Sequence, residues 1–96
     1  MSERQSPYAA RADANQAEIV NALRTAGASV QHLHTVGGGC PDLLVGYHGY
    51  NYLLEIKTPH GKANPIQVCW FREWLGQAEI VRNIDEALIA IGAIEL

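Results

Sequence analysis

Residues 41–57 read Pro41-Asp42-Leu43-Leu44-Val45-Gly46-Tyr47-His48-Gly49-Tyr50-Asn51-Tyr52-Leu53-Leu54-Glu55-Ile56-Lys57. Two apolar runs flank a His48-Gly49 turn, the spacing of a β-hairpin. The predicted strands cover 42–47 and 50–58. Glu55 and Lys57 are two apart, so they share one face of the second strand, and Ile56 points to the other and packs in a core. Charges inside apolar strand sequence are costly unless paired, solvated or metal-bound. A hairpin brings Asp42, at the start of the first strand, toward Glu55 at the end of the second.

Outward from the hairpin, the chain reads as helix, three strands, helix, strand, helix. Residues 1–12 read as a flexible arm. Asp13 or Asn15 caps a first helix over 14–26, with Ile19, Val20 and Leu23 in one apolar stripe and Gly27 as its stop. A strand is predicted over 28–35. Gly37-Gly38-Gly39 then breaks regular structure, as a turn or a phosphate cradle, and no Walker pattern follows it. Pro59-His60-Gly61-Lys62 is a loop. Asn64 followed by Pro65 starts a second helix. It runs to about Gln77 with Ile66, Cys69, Trp70 and Trp74 inward. Residues 78–82 form a short strand, and a last helix runs from Asp85 to Gly92.

Two carboxylates at one end of a hairpin make a hard oxygen site suited to Mg²⁺ or Mn²⁺, to which the Ile56 backbone carbonyl is a further candidate ligand. Phosphodiester hydrolysis requires an activated water and stabilisation of negative charge on phosphorus, both of which such an ion supplies. Lys57 is placed to orient the water or neutralise the charge. On these three residues alone, a solvated ion pair at Lys57 explains the pattern more simply. The surrounding sequence changes that weighting.

That surrounding pattern is Gly39-Cys40-Pro41-Asp42-Leu43-Leu44-Val45, then Leu54-Glu55-Ile56-Lys57-Thr58-Pro59, then Gly61-Lys62 and Pro65-Ile66-Gln67. It resembles the PD-(D/E)XK nuclease superfamily, and more closely the VRR-NUC family, over roughly residues 13–92. The resemblance implies a restriction-endonuclease-like α/β core with a mixed sheet flanked by helices, in the order α-β-β-β-α-β-α. It implies that Asp42 and Glu55 bind the metal and that Lys57 assists catalysis. It also implies a role for Gln67, and for Glu18 as an acidic residue of the first helix that completes the metal shell through water. The short form resembles phage-encoded stand-alone enzymes, which implies a homodimeric endonuclease cutting branched DNA such as four-way (Holliday) junctions. An idle DNA-binding or assembly module of the same fold is the alternative.

The totals are compatible with this reading. The 96 residues make one domain, 1–96, and 48% of them are apolar, a globular composition. The net charge of −3 argues against a DNA-coating protein but not against an acidic site that carries a cation. Arg24, Lys62 and Arg72 are the leading candidates for phosphate contacts, with Arg4, Arg11 and Arg82 behind them. Cys40 and Cys69 form no C-x-x-C pair and read as reduced thiols of a cytoplasmic protein, in a bacterial host if the chain is phage-encoded. No run approaches the roughly 18 apolar residues of a membrane span. No organic cofactor is expected. His32 and His34 share a strand face, but no acid or cysteine at ligand spacing supports a zinc site.

Overall fold

The structure is a computed structural model that describes residues 7–95. Its elements are α1 (Pro7–Thr25), β1 (Ser29–His32), β2 (Leu43–Tyr47), β3 (Tyr50–Ile56), α2 (Pro65–Glu73), β4 (Glu79–Val81) and α3 (Ile84–Ala90). The predicted order holds. The four strands form one sheet in the order β1-β2-β3-β4. The first three are antiparallel, and β4 runs parallel to β3, so the sheet is mixed.

The hairpin has the predicted register, with Leu43 opposite Leu54 and Tyr47 opposite Tyr50. Its turn places His48 at φ 49° and Gly49 at φ 83°. Two left-handed residues match the twist of the strands they join. The His48 ring lies on the Tyr47 ring at 3.9 Å, which supports this conformation on a non-glycine residue.

One face of the sheet packs on α1 and α3. Ile19, Leu23, Leu43, Val45, Leu54, Val81 and Ile91 are each 2% exposed or less. Ile56 packs against this cluster, as its strand parity requires. The opposite face carries Leu44, Leu53 and Glu55.

Three boundaries differ from expectation. Helix α1 begins at Pro7, so residues 7–12 are helical rather than an arm, and neither Asp13 nor Asn15 is its cap; residues 1–6, with Arg4, lie outside the described residues. Second, β1 stops at His32, three residues early. Third, α2 ends at Glu73 rather than near Gln77, because Trp74 turns to extended backbone at ψ 125° and its indole N–H donates to the Gln77 carbonyl at 3.2 Å. The inward face predicted for α2 is also corrected. None of its residues is buried, and Ile66 and Trp74 are 64% and 45% exposed. Among the described residues, no helix is long and apolar enough to cross a membrane.

Candidate active site

The backbone of Asp42 is fixed by the Leu33 N–H, which donates to its carbonyl at 2.8 Å, and it follows the buried Pro41. Continuing the β2–β3 register by one residue sets Asp42 opposite Glu55. The Asp42 side chain accepts the Ile56 N–H through Oδ2 at 2.8 Å. Asp42, Glu55, Ile56, Lys57 and Gln67 line one cavity of about 270 Å³. The sequence-predicted set therefore converges, with one exception below.

The Glu55 side chain is 3% exposed. Its Oε2 meets Lys57 Nζ at 3.2 Å and accepts from Gln67 Nε2 at 2.9 Å. Its Oε1 is buried without a partner among the described residues. Burial first, and then the charge of Asp42, push the Glu55 carboxyl up to about 7 against the opposing pull of Lys57. A carboxylate in that state lacks compensating positive charge. A divalent cation held by Glu55 and Asp42 would supply it, and the carboxylate donors fit such an ion.

Gln67 does three jobs. Its N–H donates to Asn64 Oδ1 at 2.9 Å while its Oε1 accepts the Asn64 N–H at 3.0 Å, a reciprocal capping box at the start of α2. The same Oε1 accepts from Lys57 Nζ at 2.7 Å, and Nε2 holds Glu55. Helix initiation and the orientation of the Glu55–Lys57 pair thus share one side chain. Gly39 lets α2 reach this position. At φ 84°, an added Cβ would lie 2.7 Å from the Ile66 carbonyl oxygen. The glycine run seats a helix here.

No family model matches the chain, and neither does any curated protein. Among solved structures, a chain described as "VRR_NUC domain" superposes with a TM-score of 0.66 at 24% identity, covering 82% of this chain and 94% of that one. The chain has the fold of a VRR_NUC domain. In this chain the Asp42–Glu55–Lys57 set lies where the antiparallel hairpin ends and the parallel β4 begins.

Glu18 is the exception. It is exposed and lines a neighbouring depression with Arg11, Asn15 and His60 rather than the Asp42–Glu55 cavity. Its place is taken by Ala12 and Gln16, one turn apart on α1. Two residues on either side of Gln16, the helix has turned about 200° away. Arg82 is also corrected. Its Nη1 donates to the carbonyls of Thr58 and Gly61, each at 2.7 Å, so it clamps the loop after Lys57 rather than standing free for phosphate. Asn15 Nδ2 donates to the Lys57 and Arg82 carbonyls at 3.1 and 3.3 Å, tying α1 to the ends of β3 and β4. Lys62 and Arg72 are exposed and do not line the cavity, and Arg24 lies on the flank of α1. Cys40 is half-buried, and its thiol is pushed up by burial and by Glu55 and Asp42, the opposite of an activated nucleophile.

Proposed function

We propose that the protein is a Mg²⁺- or Mn²⁺-dependent DNA endonuclease acting on branched DNA such as four-way junctions, and that it works as a homodimer. The observation that carries the reading is the buried Glu55 oxygen that has no partner among the described residues, in a carboxyl that shares its cavity with Asp42 and Lys57. Bound there, the cation would activate water and polarise the scissile phosphate. Asp42 and Glu55 would hold it. Lys57, held by Gln67 at 2.7 Å, would neutralise charge on the phosphoryl oxygens. The Ile56 carbonyl is a further candidate ligand, because Ile56 borders the same cavity. The VRR_NUC fold supports the nuclease class. The exposed apolar surface of α2 supports the dimer, and two sites related by a two-fold axis suit a symmetric junction.

The test is incubation of the protein with labelled single-stranded, duplex, flap and four-way-junction DNA, each with Mg²⁺, Mn²⁺ or chelator, beside Glu55→Gln. Metal-dependent symmetric cuts in the junction, absent in the variant, are expected. Cleavage of other substrates alone would keep the nuclease and reject junction selectivity. Metal-independent DNA binding without cleavage would favour an idle binding module.

A further inference from the structure

The active-site cavity does not stand alone. Gln16 walls both it and a larger depression of about 590 Å³ on the adjoining flank of α1. That depression is bordered by Asn21 and Arg24 of α1 and by His32 and His34 at the end of β1. His34 also borders a third depression, over the glycine run, which rejoins the site at Asp42 and Gln67. The histidine-lined hollow therefore adjoins the active-site cavity at Gln16 and, through the third depression, at His34.

The chemistry of the hollow is donor-rich. The guanidinium of Arg24, the amides of Gln16 and Asn21, and an imidazole N–H on each histidine in either tautomer all suit phosphate oxygens. The two imidazoles lie edge to face at 5.9 Å and offer π surface to an unstacked base. Among the described residues, Asp13 is the acid on its wall, and the Gln16 side chain makes no hydrogen bond. The depression on the other side of the site, shared through Thr58, offers less. Its Asn15 is committed to strand carbonyls, and Glu18 opposes Arg11 there.

We propose that this hollow is a nucleotide subsite, in which His32, His34 and Arg24 hold the substrate strand immediately to one side of the scissile phosphate. The proposal rests on the nuclease reading and adds to it a direction for the strand. Its volume is that of a small-ligand site. It also explains how an acidic chain with few lysines and arginines grips a polyanion, because the needed donors include histidines placed beside the site.

The test is DNA binding by the full chain with Ca²⁺ in place of Mg²⁺, read by fluorescence anisotropy. The variants are His32→Ala with His34→Ala, Arg24→Ala, and Glu79→Ala on β4 as an off-site control. The histidine pair and Arg24 are exposed, so folding is expected to survive, and circular dichroism melting checks it. The expected result is a Kd raised at least about fivefold for the subsite variants, with the salt slope of Arg24→Ala reduced by about one, and no change for Glu79→Ala. In Mg²⁺, the histidine variant should raise KM with kcat held. Substrates shortened nucleotide by nucleotide on either side of the cut should lose affinity on one side alone, and that loss should vanish in the histidine variant. Unchanged binding by the subsite variants, with cleavage intact, would overturn the subsite and leave the nuclease reading standing. Tight binding that depends on the histidines, without cleavage, would support the subsite and overturn the nuclease.

Discussion

Glu55 joins the local chemistry to stability. Its carboxyl titrates near 7 in the folded protein against an ordinary value of 4.5. A raised folded value means that the folded state holds its proton where the unfolded state has released it. The contribution to stability is fully present below pH 4.5 and is lost as pH rises through 7. The shift corresponds to roughly 3 kcal/mol across that window. The metal-free protein should therefore melt at a falling temperature between pH 5 and 8, and Glu55→Gln should flatten the slope; an unchanged slope would show that Glu55 is not the titrating group. Added Mg²⁺ should reverse the trend above pH 7, because the cation displaces the proton. Gln67→Ala should do two things at once. It should cost about 1 kcal/mol as one half of the capping box is lost, and it should lower kcat by tenfold or more as Lys57 loses its guide. Gln67→Glu, which keeps the Asn64 and Lys57 contacts but cannot donate to Glu55, separates the two by thermal melts and single-turnover rates. Asp42, Glu55 and Lys57 were legible because strand parity puts Glu55 and Lys57 on one face, the hairpin brings Asp42 to Glu55, and the surrounding motif singled out all three. Gln67's bridging was not, since it depends on where α2 docks. Glu18 was misplaced for the same reason, because helix phase says which residues align but not what lies opposite them.

At the level of elements, the hairpin was readable almost to the residue, and the start of α2 at Asn64-Pro65 equally so, because turn and cap chemistry are local. The far end of α2 was not, because it is set by Trp74 folding back over the 74–77 turn. The first turns of α1, residues 7–13, were missed because no apolar stripe marks them. That overhang nonetheless contributes Ala12 to the site. Gly39 is the contact through which one element positions another. Gly39→Ala adds a Cβ against α2 backbone at 2.7 Å and places alanine at φ 84°. The strain should cost about 1–3 kcal/mol, and relief by displacing α2 would carry Gln67 away from Lys57. A loss of activity larger than the loss of stability, measured by kcat beside urea unfolding, is the expected result. Equal activity in the folded fraction would show that α2 tolerates the shift.

For the whole molecule, the imbalance between the two faces of the sheet matters most. α1 and α3 bury one face under a continuous core, while α2 alone approaches the other and leaves Ile66, Val68, Trp74 and Leu75 between 42% and 100% exposed. Trp70 and Trp74 stack at 4.7 Å, with Phe71 edge-on to Trp70 at 5.3 Å, so this surface is ordered and aromatic, the composition of an interface centre. A chain of 96 residues has little core to spare, and association is the usual supplement. If α2 meets its two-fold mate, the helix that carries Gln67 becomes buried, and the site's second layer is stiffened by the partner rather than by the chain's own core. Trp74→Glu with Leu75→Glu should then shift sedimentation from dimer to monomer and lower the melting temperature. It should also reduce cleavage more than single-strand binding, because Gln67 would be held less firmly while the flank of α1 is untouched. A dimer that persists in this variant would move the interface away from α2. A monomer with full activity would show that the site is complete within one chain, and that the two-fold geometry serves only to pair two cuts on one junction.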